Sequence, residues 1–332
     1  MTTMTHDRLV IRNPRTSTGL AFAVASAVTF GLSGALARGL LDAGWTAGSA
    51  VAVRITIAAL VLAIPGALAL RGRWHLLRES RLTVVAYGVA AVAGAQLCYF
   101  YAVSYMQVGV ALLIEYTAPV AVVMWLWLRH GNRPNRLTVV GAVIASLGLV
   151  LVLDVLSGAE LSTTGVLWAL GAMVGLATYF VIGADTDNGL PPISLAAAGL
   201  VVGGVVLLTA GWLGVLPMRA TTADVVYNSH VVSWWMPVLA LGLVTAAFAY
   251  VTGIAAGRRL GSRLSSFVAL LEVLMALVFA WVLLGELPRT VQMFGGLLVL
   301  AGVVVVKLGE GPSAVAVEPL PGEPELSERP AA

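Results

Sequence analysis

From Gly19 to Lys307 the chain runs through ten apolar segments, and nearly every charge sits in the connectors between them. The segments are read at about 19–37, 47–70, 83–103, 108–128, 137–154, 164–183, 193–215, 235–256, 264–284 and 290–307. Each approaches the roughly 20 residues that carry a helix across a bilayer. Inside hydrocarbon a backbone has to satisfy its own hydrogen bonds, which leaves helices as the form open to such segments. The composition agrees: 59% of residues are hydrophobic and 11% charged, where a soluble domain carries about 25% charged residues. A water-soluble fold cannot hide that much apolar side chain. The sequence predicts an all-α integral membrane protein of ten transmembrane helices.

The connectors orient it. With the N-terminus inside, inner tails and loops carry fifteen arginines and lysines, and the outer ones only Arg38, Arg219 and Arg289. That asymmetry places both termini in the cytoplasm, with 1–18 as a cytoplasmic leading segment. The net charge of +3 therefore reports topology, and no nucleic-acid partner is expected. Basic residues followed by an apolar run and "ALA" at 35–37 imitate a secretory signal. The run is too long for one and is read as the first span. The tail, 309–332, is rich in proline and glutamate and is expected to be a disordered cytoplasmic segment. Cys98 is the sole cysteine, so no disulfide framework is available.

The chain also repeats itself. Displaced by 154 residues, Trp127 meets Trp281, Gly131 meets Gly285, Pro134 meets Pro288, Gly141 meets Gly295 and Gly148 meets Gly302. Five spans fall in each half, 19–154 and 155–308. An odd number makes the halves enter the membrane from opposite sides, giving two inverted five-helix repeats. Secondary transporters share that plan, with the site near the midplane between the repeats.

Ionisable residues within the spans are few. A charge at the helix centre costs about 2.5–3.5 kcal/mol on insertion scales, so it faces a cavity or a partner. Glu115 lies about seven residues from the outer end of span four, roughly 10 Å deep at about 1.5 Å per residue. Arg54 lies at a similar depth in span two, within range to pair with it. Glu272 is near the middle of span nine. Its repeat equivalent is Ala118, three residues after Glu115 and on the same helical face. Each half thus offers a carboxyl to a shared interior, for substrate or proton; a neutral glutamic acid bonding helices together is the plainer role. Pro119 has no N–H and frees the Glu115 carbonyl one turn back, as a helix break beside a site or as a packing kink. Tyr99, Tyr116, Tyr179 and Tyr250 are candidate ligand contacts, with Tyr101, Gln96 and Gln107 weaker. Glycines four apart (171/175, 199/203, 253/257) fit close helix packing. Trp45, Trp74, Trp212, Trp234 and Trp235 read as interface anchors. The four histidines are scattered through tails and loops, so no metal site is expected.

At "RITIAAL" (54–60), "FYAVSYMQVGVALLIEYTAPV" (100–120) and "ALLEVLMALVFAWVLLGELPRTVQMFGGLLVLAGVVVV" (269–306) the sequence resembles the EamA transporters of the drug/metabolite transporter superfamily. The resemblance covers about 19–308, and the middle stretch is most similar to the amino-acid-exporting branch. It departs at Val273, where proline is common in the second repeat, and at Asn132, where glutamate is common in the first. The resemblance implies a secondary transporter of the bacterial cytoplasmic membrane, exporting small metabolites such as amino acids by alternating access, with protons as the candidate driving ion. No cofactor is implied, and the expected partners are a small-molecule substrate and the lipid bilayer. A lipid or lipid-carrier flippase is the alternative within the superfamily. An intramembrane enzyme is the more distant one. The absence of a P-loop, H-E-x-x-H or G-x-S-x-G removes the commonest signatures of ATP hydrolysis and hydrolase chemistry.

Overall fold

The computed structural model describes residues 14–105, 108–153 and 162–309. The expectations for the first thirteen residues, for Gln107 and for the tail beyond Gly309 lie outside the described residues.

In the first half, α1 (Pro14–Asp42) turns tightly into α2 (Ala47–Ala69), and a short α3 (Trp74–Glu79) leads to a long rod. That rod is α4 (Arg81–Ala86), a π-helical segment Tyr87–Gly94, and α5 (Ala95–Tyr105). Then follow α6 (Val108–Glu115), α7 (Ala118–His130) and α8 (Arg136–Val152). The second half opens with α9 (Thr163–Ala184) and α10 (Pro192–Trp212). A connector carrying β1 (Val225–Tyr227) and β2 (His230–Val232) leads to α11 (Trp235–Gly242), a π-helical segment Leu243–Phe248, and α12 (Ala249–Val268). Next are α13 (Leu271–Phe279), a π-helical segment Ala280–Leu284, and α14 (Thr290–Gly309). Among the described residues eight helices are long and apolar enough to cross a membrane, and two shorter apolar ones, Arg136–Val152 and Leu271–Leu284, accompany them.

Local chemistry sets matching features at matching positions. Gly131 and Gly285 end their helices in the left-handed region, at φ 69° and 74°. In each, the glycine N–H donates to the carbonyl four back (Trp127, Trp281; 3.0 Å), and the next N–H to the carbonyl six back (Leu126, Ala280; 3.3 Å). This is the glycine-terminated cap that satisfies the last carbonyls of a helix, and it explains why these glycines recur. The π-helical segments Tyr87–Gly94 and Leu243–Phe248 also coincide under the 154-residue displacement. Asn135 and Thr46 begin α8 and α2 by accepting from Thr138 N and Ser49 N.

Equivalent helices pack against each other and run antiparallel. In the pair α8–α14, a Cβ on Gly141 would meet the Gly302 carbonyl, and one on Gly148 the Gly295 carbonyl. The two backbones therefore touch through four glycines. Membrane helices lack a hydrophobic drive toward one another, so this close van der Waals contact is what joins them. Likewise α2 meets α10, with Gly66 against Ala197 at one end and Ile55 against Gly204 at the other.

The connectors swap between halves. The first half's α2–α4 connector lies on the second half's α9–α10 turn, where Ser80 Oγ donates to the Asn188 carbonyl (3.4 Å) and Leu76 borders Gly189. The second half's α10–α11 connector lies on the first half's α1–α2 turn. There Thr46 N donates to Arg219 O (2.9 Å), Trp45 Nε1 to Thr221 O (2.8 Å), and Ser49 Oγ to Arg219 O.

The hairpin β1–β2 is a small addition to the expected helices, and the expectation for Trp45 needs correction. Among the described residues the protein is all-α apart from this hairpin, whose turn residues Asn228 and Ser229 both take positive φ, 42° and 72°. That is the turn geometry that suits the twist of a two-residue hairpin. Within it, the buried Tyr227 phenol, pushed above its ordinary range by burial, donates to the Leu36 carbonyl at 2.7 Å. Trp45 is no interface anchor: it is buried, bonded to Thr221 and packed near Trp234, itself partly buried (centroids 6.4 Å apart). Trp74, Trp212 and Trp235 do stand exposed. Span four is broken beside Pro119, as its sequence suggests, and span nine is broken as well.

Candidate functional site

The two interruptions make the site. In span four, α6 ends at Glu115 and α7 begins at Ala118, with Tyr116 and Thr117 between. Pro119 stands in the first turn of α7, where a missing N–H costs nothing within that helix. The same missing N–H denies the Glu115 carbonyl its usual partner. Thr117 tightens the break, its Oγ1 donating to the Ile114 carbonyl at 2.6 Å. In span nine the break falls at Ala269–Leu270, held by short-range bonds from Leu270 N to Phe267 O (3.1 Å) and Glu272 N to Ala269 O (2.8 Å). No proline marks it, but Tyr116–Thr117 displaced by 154 residues falls on 270–271. Glu115 therefore ends a half-helix and Glu272 begins one.

The carboxyls lie within electrostatic reach of each other. Protein surrounds both, yet both retain partial accessible surface, as does Tyr116 between them. All three sit half-buried where the two helix breaks meet. Tyr116 faces Glu272 at side-chain hydrogen-bonding range. Tyr99, on α5, is close enough to Glu115 to feel its charge.

Arg54 enters from α2. Its neighbours by charge are Tyr250, Glu272 and Tyr116, so of the two carboxyls it is Glu272, and not Glu115, that lies near it. Its Nη2 donates to the Thr245 carbonyl at 2.8 Å, and its guanidinium carbon lies 5.7 Å from the Phe30 ring centroid. Thr245 belongs to the π-helical segment Leu243–Phe248. An inserted residue there disrupts the regular ladder and turns backbone groups toward other partners.

Below Arg54 the rings of Phe30, Tyr250, Tyr179 and Tyr87 form an edge-packed column. Phe30 and Tyr250 are 5.3 Å apart at 71°, Tyr250 and Tyr179 5.6 Å at 84°, and Tyr179 and Tyr87 5.9 Å at 32°. The Tyr87 hydroxyl is buried without a hydrogen-bond partner, and that of Tyr179 lies beside Ser26. Beyond them Arg258 donates to Leu190 O (2.7 Å), Asn188 Oδ1 (3.2 Å) and Gly183 O (3.3 Å), tying α12 to the α9–α10 turn.

The structure thus gathers Glu115, Glu272, Arg54, Tyr116, Tyr99, Tyr179 and Tyr250 around one interior, with Pro119 at its edge. Tyr101 points elsewhere: it donates to Val215 O (2.8 Å) and stacks on Trp168. Sequence reasoning missed Phe30, Thr245 and Tyr87. Phe30 and Tyr87 look like ordinary span residues, and the Thr245 contact is made by a backbone carbonyl. A shallow, mostly apolar hollow beside Ile64, Leu68, Arg71 and Trp74 contains neither carboxyl. Among the described residues no group of histidine, cysteine and carboxylates is placed to hold a metal.

The family model described as the EamA-like transporter family matches residues 17–154 and again 163–308. The chain is 27% identical over 267 residues to the threonine/homoserine exporter RhtA of Escherichia coli strain K12, covering 78% of this chain and 79% of that protein. It is 28% identical over 198 residues to the uncharacterized transporter YvbV of Bacillus subtilis strain 168, covering 59% and 62%. A crystal structure 19% identical in sequence superposes with a TM-score of 0.71, over 88% of this chain and 97% of the other. At that identity the likeness is one of fold.

Proposed function

The chain belongs to the EamA-like transporter family, and from that premise we propose that it exports small metabolites, amino acids foremost, across the cytoplasmic membrane. It is a multi-pass membrane protein of a family of transporters, not of enzymes. In this reading ten helices cross the bilayer with both termini in the cytoplasm, as two inverted five-helix repeats. The shorter helices Arg136–Val152 and Leu271–Leu284 count among the ten. The repeats rock about the interior that holds Glu115 and Glu272, exposing it to each side in turn.

The observation that carries the reading is the pair of half-buried carboxyls at matching helix breaks, one from each half, within electrostatic reach of each other. Antiparallel packing of equivalent helices supports the inversion. The likeness to a threonine/homoserine exporter supports amino acids as the substrate class. Glu115, at the break, exchanges a proton for the substrate's ammonium, and opposite occupancies on the two sides couple export to proton entry. Tyr99, Tyr116 and Tyr250 shape the cavity, and Tyr179 closes it on the cytoplasmic side.

The test is counterflow and gradient-driven uptake of labelled L-threonine in proteoliposomes, with and without a pH gradient. Accumulation that follows the gradient supports the reading. Transport of lipid analogues across the bilayer, with no movement of any amino acid, would establish the flippase alternative instead.

A further inference from the structure

Arg54 holds a positive charge inside the protein with an incomplete set of partners. Its residue is 9% exposed. Of the five N–H bonds a guanidinium carries, one on Nη2 is directed to the Thr245 carbonyl. Nε is buried and has no hydrogen-bond partner. Glu272 is within electrostatic reach, yet no carboxylate among the described residues forms an ion pair with Arg54. A buried charged donor left unmet is costly, so the site is incomplete as it stands.

A narrow crevice opens beside this residue. It is bordered by Leu41, Ala47, Val51, Phe100 and Leu241, with Arg54 in its wall. It lies toward the α1–α2 turn, the end assigned to the cell exterior by the distribution of basic residues. Its other walls are apolar, so within the crevice the guanidinium is the one charged group. The Thr245 carbonyl fixes one nitrogen and the Phe30 ring lies over the guanidinium carbon, which orients the planar fork. Nε–H and the neighbouring Nη–H of such a fork match the two oxygens of a carboxylate.

We infer that the unpartnered Nε edge of Arg54 is the subsite for the substrate's carboxylate. The inference rests on the transporter reading above and narrows its substrate to small molecules that carry a carboxylate. The carboxylate docks on Arg54, and the ammonium points toward Glu272 and Glu115. Primary amines without a carboxylate, and esters or amides of amino acids, leave the fork unmet and are rejected.

The test uses purified full-length protein in lipid nanodiscs, with ligand-induced thermal stabilisation as readout. The probes are L-threonine, L-threoninamide, 1-amino-2-propanol and 3-hydroxybutyrate. L-Threonine stabilises the wild type, and the two probes lacking a carboxylate require concentrations at least about tenfold higher for the same shift. 3-Hydroxybutyrate retains part of the effect. Arg54→Lys keeps the charge without the fork and loses most of the discrimination between acid and amide. L-Threoninamide binding the wild type as well as L-threonine overturns the assignment, and so does a wild type that none of the four stabilises. Neither result depends on how a variant folds. The transporter reading has a separate readout: pH-dependent counterflow that requires Glu115 survives equal binding of acid and amide.

Discussion

Replacing Gly148 by alanine tests the junction between the halves at its tightest point. A Cβ there would lie 2.6 Å from Val299 N and 2.7 Å from the Gly295 carbonyl oxygen. Both are backbone atoms of α14, and neither yields unless the helices separate. At the equivalent position, Gly302, a Cβ would lie 2.5 Å from Ala145 N and 2.7 Å from the Gly141 carbonyl. Overpacking of this kind costs about 1–3 kcal/mol. Alanine returns about 0.5–1 kcal/mol through its better helix propensity. The net loss is up to about 2.5 kcal/mol, or up to about 70-fold in the ratio of folded to unfolded protein. Gly34, also within a helix, has nothing within 4 Å of its would-be Cβ, so Gly34→Ala keeps only the propensity gain. Reversible unfolding in mixed micelles measures all three. Gly148→Ala and Gly302→Ala are expected to lose stability by similar amounts, and the double variant less than their sum, because the first methyl already parts the helices. Gly148→Ala as stable as Gly34→Ala would refute the claim that backbone contact joins the pair.

Tyr227→Phe removes the donor to the Leu36 carbonyl and is expected to cost about 1 kcal/mol in the same unfolding assay, while an unchanged midpoint would mean that the hairpin adds no stability through that bond. For topology, Cys98 is first replaced by alanine; a cysteine at His230 is then expected to react with an impermeant reagent in intact cells, and one at Arg133 to be spared. Labelling at Arg133 would invalidate the orientation.

Most helix ends were legible because charged connectors and apolar runs alternate, but the connector read at 257–263 lies within α12, which bends at Gly261 instead of ending. The repeat was legible through Gly131 and Gly285, whose left-handed caps tolerate few other residues. Of the two breaks, Pro119 announced the one after Glu115. The break at Ala269–Leu270 carries neither proline nor glycine at its own position, and only its place in the repeat points to it. Interior side-chain pairing was less legible. Arg54 and Glu115 share a depth, but rotation of α2 about its axis sets the Arg54 guanidinium beside Glu272 and the Thr245 carbonyl. The π-helical segments arise from packing between helices, which a window of sequence does not contain. Trp45 misled because it lies near a span end in sequence while the α10–α11 connector, remote in the chain, folds over it. The hairpin in that connector was signalled by "VVYNSHVV", where Asn228 and Ser229 separate two short β-branched runs, a signal easily lost beside so much helix.

The central claim, that carboxyls at the helix breaks carry coupling, is tested most directly by Glu115→Gln in proteoliposomes across a range of pH. Glutamine keeps the shape and one acceptor while removing the exchangeable proton. The account predicts normal abundance and folding of the variant, with pH-dependent transport of L-threonine abolished. Glu272→Gln serves as the companion variant from the other half and behaves alike if that half supplies the coupling carboxyl. Glu115→Gln protein that transports at the wild-type rate throughout the pH range would contradict the account and leave Glu115 a structural residue of the break.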